Sequence, residues 1–258
     1  HLSLRRQRQM CIRDRSKMST YHFVSLEEHK NRLLKMGEPA WRIFQVGTPA
    51  IDKLVAEKSL TSEELFGYFK ISPTYPNKIA LLTYHPMAHE ENEAGEHIQN
   101  IIECLLAENY FIFCNSPNVD SGSKNILEVI AKYTGNKNFI PFKNLPREIF
   151  VNLMRKSTLM IGNSSAGIAE AATCKIKVVN VGQRQRGRYN AGNVIFCDTD
   201  KESIKTALKK SQTEDYGKFV ATLQNPYGDG KSSEKIYQIL KETDLKAAVQ
   251  KKEDPLCL

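Results

Sequence analysis

The chain is predicted to fold as an α/β protein built on a parallel sheet. Three observations lead there. From residue 79 onward the short apolar runs "KIALLTY", "YFIFCN", "STLMIG", "KVVNVG" and "NVIFCD" have the length and unbroken hydrophobicity of strands buried on both faces. Between them lie segments with apolar residues at helical spacing, as with Ile98, Ile101, Ile102, Leu105 and Leu106 within residues 91 to 108. Polar clusters follow several of the runs directly, where an open parallel sheet presents its carboxyl ends and binds ligands.

Taken in order, residues 1 to 17 carry six basic residues (Arg5, Arg6, Arg8, Arg13, Arg15, Lys17) against Asp14, a net +5. They show no hydrophobic period, and "MCIRDR" resembles the translation of a sequencing-library adapter. This segment is therefore expected to be disordered and non-native, with a basic nucleic-acid arm as the weaker reading. Residues 18 to 62 offer a short helix, a turn at Gly37 to Pro39 and a single strand, "RIFQVG", with no sheet of its own. They read as the end of a preceding domain and a linker. Residues 63 to 241 hold the sheet; further helices are expected at about 123 to 132, 146 to 156, 202 to 210 and 232 to 241. A flexible tail is expected over 242 to 258.

The 258 residues are 41% hydrophobic, which is ordinary for a folded domain and enough for a sizeable core. Of the formal charge of +8, only +3 remains outside the first 17 residues, so nucleic acid is not an expected partner. No apolar run suits an export signal or a membrane span, and no membrane partner is expected. Cys11, Cys104, Cys114, Cys174, Cys197 and Cys257 form no CxxC pair and no ligand spacing with histidine. Several sit in apolar runs as small hydrophobes, which suits a reducing cytoplasm.

The polar clusters carry the chemistry. "KIALLTY" ends in His85–Pro86, "YFIFCN" leads into "SPNVDSGSK" with Asn118, Asp120, Ser123 and Lys124, and "STLMI" leads into "GNSSAGIAEA", residues 162 to 171. "KVVNVG" is followed by "QRQRGR". If the strands are parallel and adjacent, these clusters converge on one crevice. In the serine corner a strand becomes a helix, whose first N–H groups lack internal partners and suit an anion such as phosphate; capping is the plain alternative role for Ser164 or Ser165. Glu170 can accept hydrogen bonds from a ribose diol, and Arg184 offers a planar donor array. Lys124, Arg186 and Arg188 can equally be surface cations. His85, at the end of a buried strand, can face the crevice or serve as a structural histidine. There is no GxxxxGK[ST] and no strand-bound GxGxxG, which speaks against a P-loop and a dinucleotide fingerprint.

The motifs "TYHP", "SPNVDSGSK", "IGNSSAGIAEA", "VNVGQRQRGR", "NVIFCD" and "NPYGDG" occur in an order and spacing that resemble the hydrolysing UDP-N-acetylglucosamine 2-epimerases of sialic-acid synthesis and their bacterial relatives, over residues 20 to 241. The resemblance implies a GT-B-like fold of two Rossmann-like domains, this chain holding the second. It implies elimination of UDP to an acetamidoglucal and addition of water to give N-acetylmannosamine, with no metal or nicotinamide cofactor. UDP-2,4-diacetamido sugars are handled by similar proteins with the same motifs. By position, the nucleotide contacts fall on Asn118, Ser123 or Lys124, Ser164, Ser165, Glu170 and Arg184, with Asp120 beside them, and the active-site histidine on His85. The acidic groups that remove the C2 proton come mostly from the first domain, so this chain alone is expected to be inactive; Glu90, Glu91 and Asp120 are the candidates within it. The whole enzyme is expected to be a homo-oligomer. A GT-B glycosyltransferase and a UDP-sugar-binding module without catalysis are the competing readings.

Overall fold

The computed structural model describes residues 14–72, 78–87 and 89–245. Two compact units are formed, one of Glu57–Asn225 and the other joining the chain up to Ala56 with the chain from Pro226 onward. Among the described residues no helix is long and apolar enough to cross a membrane.

In the smaller unit, residues 14–18 form a helical turn where disorder was expected, and a strand β1 (His22–Val24), the helix Glu27–Lys35, a strand β2 (Ile43–Gln45) and the helix Pro49–Ala56 follow. β2 is not the isolated strand expected from the sequence. It pairs in parallel with β1, His22 opposite Ile43 and Val24 opposite Gln45, because the helix between them supplies the crossover that parallel strands need. β1 went unread because three residues are too few to show a period. The final helix, Ser232–Glu242, belongs to this unit: the Asp52 carboxylate accepts the free N–H groups of Ser232 and Ser233 at 2.9 and 2.5 Å, capping it from another element. The disorder expected for residues 1–17 falls mostly on residues 1–13, outside the described residues, as does the tail beyond 245. Lys17, by contrast, donates to Met36 O at 3.0 Å and pairs with Glu38 at 2.9 Å, so the break expected after residue 17 is absent.

The larger unit is a doubly wound sheet. Its strands are β3 (Ile79–Thr83), β4 (Phe111–Asn115), β5 (Phe139–Phe142), β6 (Leu159–Gly162), β7 (Lys177–Val181) and β8 (Val194–Cys197), in the spatial order β5-β4-β3-β6-β7-β8, all parallel. The helices Ala94–Ala107, Ser123–Lys132, Arg147–Lys156 and Lys201–Ser211 fall where the periodicity put them. Strand hydrophobicity follows position in the sheet. β3 and β6, at the centre, are buried at every residue, whereas β5 and β8, at the edges, keep three partly exposed residues each. Each buried leucine of β3 contributes about 1.5 to 3 kcal/mol by leaving water, so the core is concentrated at the centre of the sheet.

The chain winds outward in one direction through β3, β4 and β5 and in the other through β6, β7 and β8, so the order reverses between β3 and β6. There the backbones come very close. Gly162, at φ +123°, faces Thr83 so directly that an added Cβ would lie 2.1 Å from the Thr83 carbonyl oxygen. Gly135 also has a positive φ, +97°, but nothing lies within 4 Å of its missing Cβ. Gly162→Ala is therefore expected to cost ~4 kcal/mol, steric overlap adding to backbone strain, and Gly135→Ala about 1 to 2 kcal/mol from strain alone. Urea unfolding of both variants checks this; equal losses would show that the close approach at the switch point does not matter.

Candidate functional site

At the switch point the carboxyl ends of β3 and β6 are joined by one buried side chain. Asn163, the residue after β6, continues the strand pairing by donating its backbone N–H to Thr83 O at 3.0 Å. Its side-chain amide then takes over: Oδ1 accepts the backbone N–H of His85 and Nδ2 donates to the backbone carbonyl of His85, each at 2.8 Å. Arg184 Nη1 and Gln185 Nε2, from the loop after β7, donate to the Asn163 carbonyl at 2.9 and 3.0 Å. Asn163 is 1% exposed and Gln185 is buried beside it, so the polar groups of these two side chains must be satisfied within the protein, while Arg184 reaches them from the exposed side.

His85 is held from a second side. The backbone N–H of Asn118, in the loop after β4, donates to His85 Nδ1 at 3.3 Å. That bond assigns the ring its tautomer: Nδ1 is the acceptor and Nε2 carries the proton. Burial pushes the His85 titration below its ordinary value of 6.5, the Arg184 cation pushes it further down, and Asp120 opposes them. The ring is thus a neutral N–H donor at neutral pH. Burial is also the main influence on Arg184, and its charge is supported by Asp120. His85, Asp120 and Arg184, drawn from the ends of three strands, therefore share one electrostatic neighbourhood.

The loop after β4 is shaped from within. Asn118 Nδ2 donates to the Asp120 carboxylate, and the Ser123 hydroxyl donates to the carbonyls of Asn118, at 2.6 Å, and of Asp120. Ser123 is thus occupied in holding its own loop. Gly122, at φ +90°, lets this loop meet the one after β3: a Cβ there would lie 2.9 Å from Glu91 Cα and 3.0 Å from Pro86 Cβ. Lys124 stands 88% exposed with Glu128 as its partner at 3.9 Å, on the outside of its helix.

In the serine corner Ser164 is the N-cap, its hydroxyl accepting Ala166 N–H at 3.3 Å, which is the capping role. Ser165 is exposed at the first position of the helix Ser165–Ala169. That helix is five residues long, shorter than the run of helix formers suggested, and turns carry the chain on to β7. Glu170 is set apart from the His85 network. It is partly buried, burial pushes its carboxyl above the usual range, and Arg147, at the start of the helix after β5, draws it back. In "QRQRGR" Arg184 and Gln185 turn inward, Arg188 donates to Gln185 Oε1 at 2.8 Å, and Arg186 pairs outward with Asp198 at 2.7 Å.

Asn163 and Gln185 are the residues that reading the sequence did not single out. Both stood inside the quoted motifs; for Asn163 the signal was a polar residue directly after an apolar run that ends in glycine, whereas Gln185, three residues past Gly182, carried no such mark. Among the acidic candidates, Glu90 lies 3.3 Å from His89 and keeps its other oxygen buried.

A six-stranded doubly wound parallel sheet, with a neutral histidine and an arginine at its switch point, defines a Rossmann-like domain. Comparison with known proteins makes this specific. Residues 12–241 match the family model described as UDP-N-acetylglucosamine 2-epimerase, and the chain belongs to that family. It is 39% identical over 237 residues to a UDP-N,N'-diacetylbacillosamine 2-epimerase (hydrolyzing) of Legionella pneumophila, covering 92% of this chain and 61% of that protein. It is 30% identical over 218 residues to a UDP-N-acetylglucosamine 2-epimerase of Neisseria meningitidis serogroup B, covering 84% and 56%. The chain thus spans about six-tenths of the length of the curated relatives it matches. Among solved structures, the UDP-GlcNAc 2-epimerase of Neisseria meningitidis bound to UDP-GlcNAc superposes with a TM-score of 0.74 at 20% identity, over 88% of this chain and 63% of that one, which shows a shared GT-B-like fold.

A histidine that binds its proton more weakly when folded leaves stability unchanged above 6.5 and lowers it as pH falls below that value, until the folded ring is protonated too. Titration of histidine-labelled protein by NMR is expected to place the His85 midpoint below 6.5, with Arg184→Ala raising it and Asp120→Asn lowering it. A wild-type midpoint above 6.5 would contradict the burial argument.

Proposed function

We propose that this chain is the nucleotide-binding, carboxyl-terminal part of a hydrolysing 2-epimerase of UDP-2-acetamido sugars. The observation that carries the reading is the pairing of a neutral, Nε2-protonated His85 with Arg184 at the switch point, in a chain 39% identical to a hydrolysing 2-epimerase. In the proposed reaction a base removes the proton from C2 of the sugar. The electron pair forms a C1=C2 double bond as the bond from C1 to the UDP oxygen breaks, and water then adds to the glycal. His85 Nε2–H donates to the departing diphosphate, and the negative charge arriving there favours protonation of the ring, countering the burial that keeps it neutral beforehand. Arg184, with Ser164 and Ser165 at the serine corner, holds the diphosphate, Asn118 and Asp120 shape its pocket with Ser123, Glu170 receives the ribose, and Lys124 supplies outer positive charge.

The C2 base is assigned to the portion of the relatives' length that this chain does not span, which makes the chain by itself a binder rather than a catalyst. UDP-N-acetylglucosamine, giving N-acetylmannosamine for sialic-acid synthesis, is one substrate reading. The name of the 39% identical relative favours a second, a UDP-2,4-diacetamido sugar. A cytoplasmic, homo-oligomeric whole enzyme belongs to the same reading.

Calorimetry with UDP, ADP and GDP tests it. UDP is expected to bind more tightly than the other two, and Ser165→Ala to weaken it by about 1.5 to 3 kcal/mol, the worth of a hydrogen bond to a charged group. Equal or absent heats for all three nucleotides would sink the proposal, while unchanged affinity in Ser165→Ala would leave Ser165 without a phosphate contact.

A further inference from the structure

We infer that Asn163 is the positioning residue of this site: it fixes His85 relative to Arg184, so that an anion held by the arginine meets the proton on His85 Nε2. The inference deepens the proposed function and rests on it for the identity of the anion. It rests on geometry for the rest.

His85 lies beyond the end of β3, where the regular ladder stops. Thr83 is the last strand residue, paired with Gly162. A residue two positions past the end of a strand has no neighbour to receive its N–H or donate to its carbonyl, and its backbone is ordinarily free to move. Asn163 supplies both partners through its side chain, copying at 2.8 Å and 2.8 Å the two bonds that a further strand residue would have made. Asparagine is matched to this task because its planar amide presents a carbonyl acceptor and an N–H donor side by side, the same two kinds of group that a peptide backbone offers. Aspartate would set an oxygen against the His85 carbonyl, and leucine would leave two buried backbone groups unpaired.

The same residue is anchored on the other side by Arg184 and Gln185 through its carbonyl. Only one guanidinium nitrogen of Arg184 is spent on this bond, and the planar group has donors left for a ligand. Three strand ends therefore meet at one residue: His85 from β3, Asn163 itself from β6, and Arg184 with Gln185 from β7. A displacement of Asn163 moves histidine and arginine apart, and a misplacement of about 1 Å at a reacting group can lower a rate on the order of 10²-fold. Asn163 touches no ligand in this account and acts through its two neighbours.

The test reads the state of the His85 ring in the whole chain by nitrogen-15 NMR. In the wild type, Nε2 is expected to be protonated and Nδ1 not, with the backbone N–H of His85 as slow to exchange as those within β3. In Asn163→Ser the ring is expected to average between tautomers, its titration midpoint rising toward 6.5 as it escapes its buried setting. Gln185→Leu keeps every bond between Asn163 and His85 and removes one anchor, so it is expected to move the midpoint the same way by a smaller amount. A folded Asn163→Ser protein with wild-type tautomer and midpoint would overturn the inference. If that variant does not fold, an unmoved midpoint in Gln185→Leu, or a His85 amide in the wild type that exchanges as fast as an exposed loop, would overturn it equally. Absence of UDP binding by the wild type would count against the proposed function and leave these ring measurements standing.

Discussion

The site depends on a side-chain amide doing the work of a backbone. At the point where the sheet reverses its order, the ladder between β3 and β6 ends at Thr83 and Gly162, and Asn163 prolongs it to His85 with two bonds from its side chain. Two constraints make this possible. Gly162 removes the Cβ that would collide with Thr83, and the long apolar interiors of β3 and β6 fix the strands on which both residues stand. Hydrophobic burial sets the two strand ends side by side; a few hydrogen bonds, each strengthened by exclusion of water, decide where the chemically active groups point.

The same device recurs elsewhere in the larger unit. Asn152, 3% exposed, accepts Leu60 N–H at 2.9 Å and donates to the carbonyls of Lys58 and Glu148 at 2.8 and 2.9 Å, tying the segment before the helix Ser62–Tyr68 to the helix Arg147–Lys156. Asn193, fully buried, donates to Ile176 O at 3.0 Å, and Asn100 donates to Thr199 O at 3.1 Å. A buried asparagine without partners would cost about 1 to 3 kcal/mol, so each of these is specific to its place. At Asn152, Asn193 and Asn100 the pinned group is plain backbone. At Asn163 it is the backbone of a histidine held neutral, facing an arginine, and there pinning becomes chemistry.

Much of this could be read from the residues. Strands buried on both faces and helices at 3.6-residue spacing announced the parallel sheet, and polar clusters after the apolar runs pointed to loops that the structure links through Asn163, His85 and Arg184. What stayed hidden depended on three-dimensional pairing. β1 is three residues long and is recognisable only beside β2. The helix Ser232–Glu242 reads like any amphipathic helix until Asp52, 180 residues earlier, is seen capping it. Among the site residues, His85, Asp120 and Arg184 were visible as charge-bearing types at strand ends. Asn163 was not, since an asparagine before two serines reads as turn chemistry. Ser123 and Lys124 came from position in the family's motif, with a surface cation as the other reading of Lys124; in the structure Ser123 bonds to its own loop and Lys124 lies on an outer helix face.

A crystal of this chain grown with UDP tests most directly whether Asn163 assembles a diphosphate site at the switch point. Diphosphate oxygens within hydrogen-bond distance of His85 Nε2 and the Arg184 guanidinium, with Asn163 still bonded to the His85 backbone, is the predicted result. UDP seated elsewhere, as in the groove beside β8 lined by Arg186, Asp198 and Lys210, with the switch point empty, would contradict it.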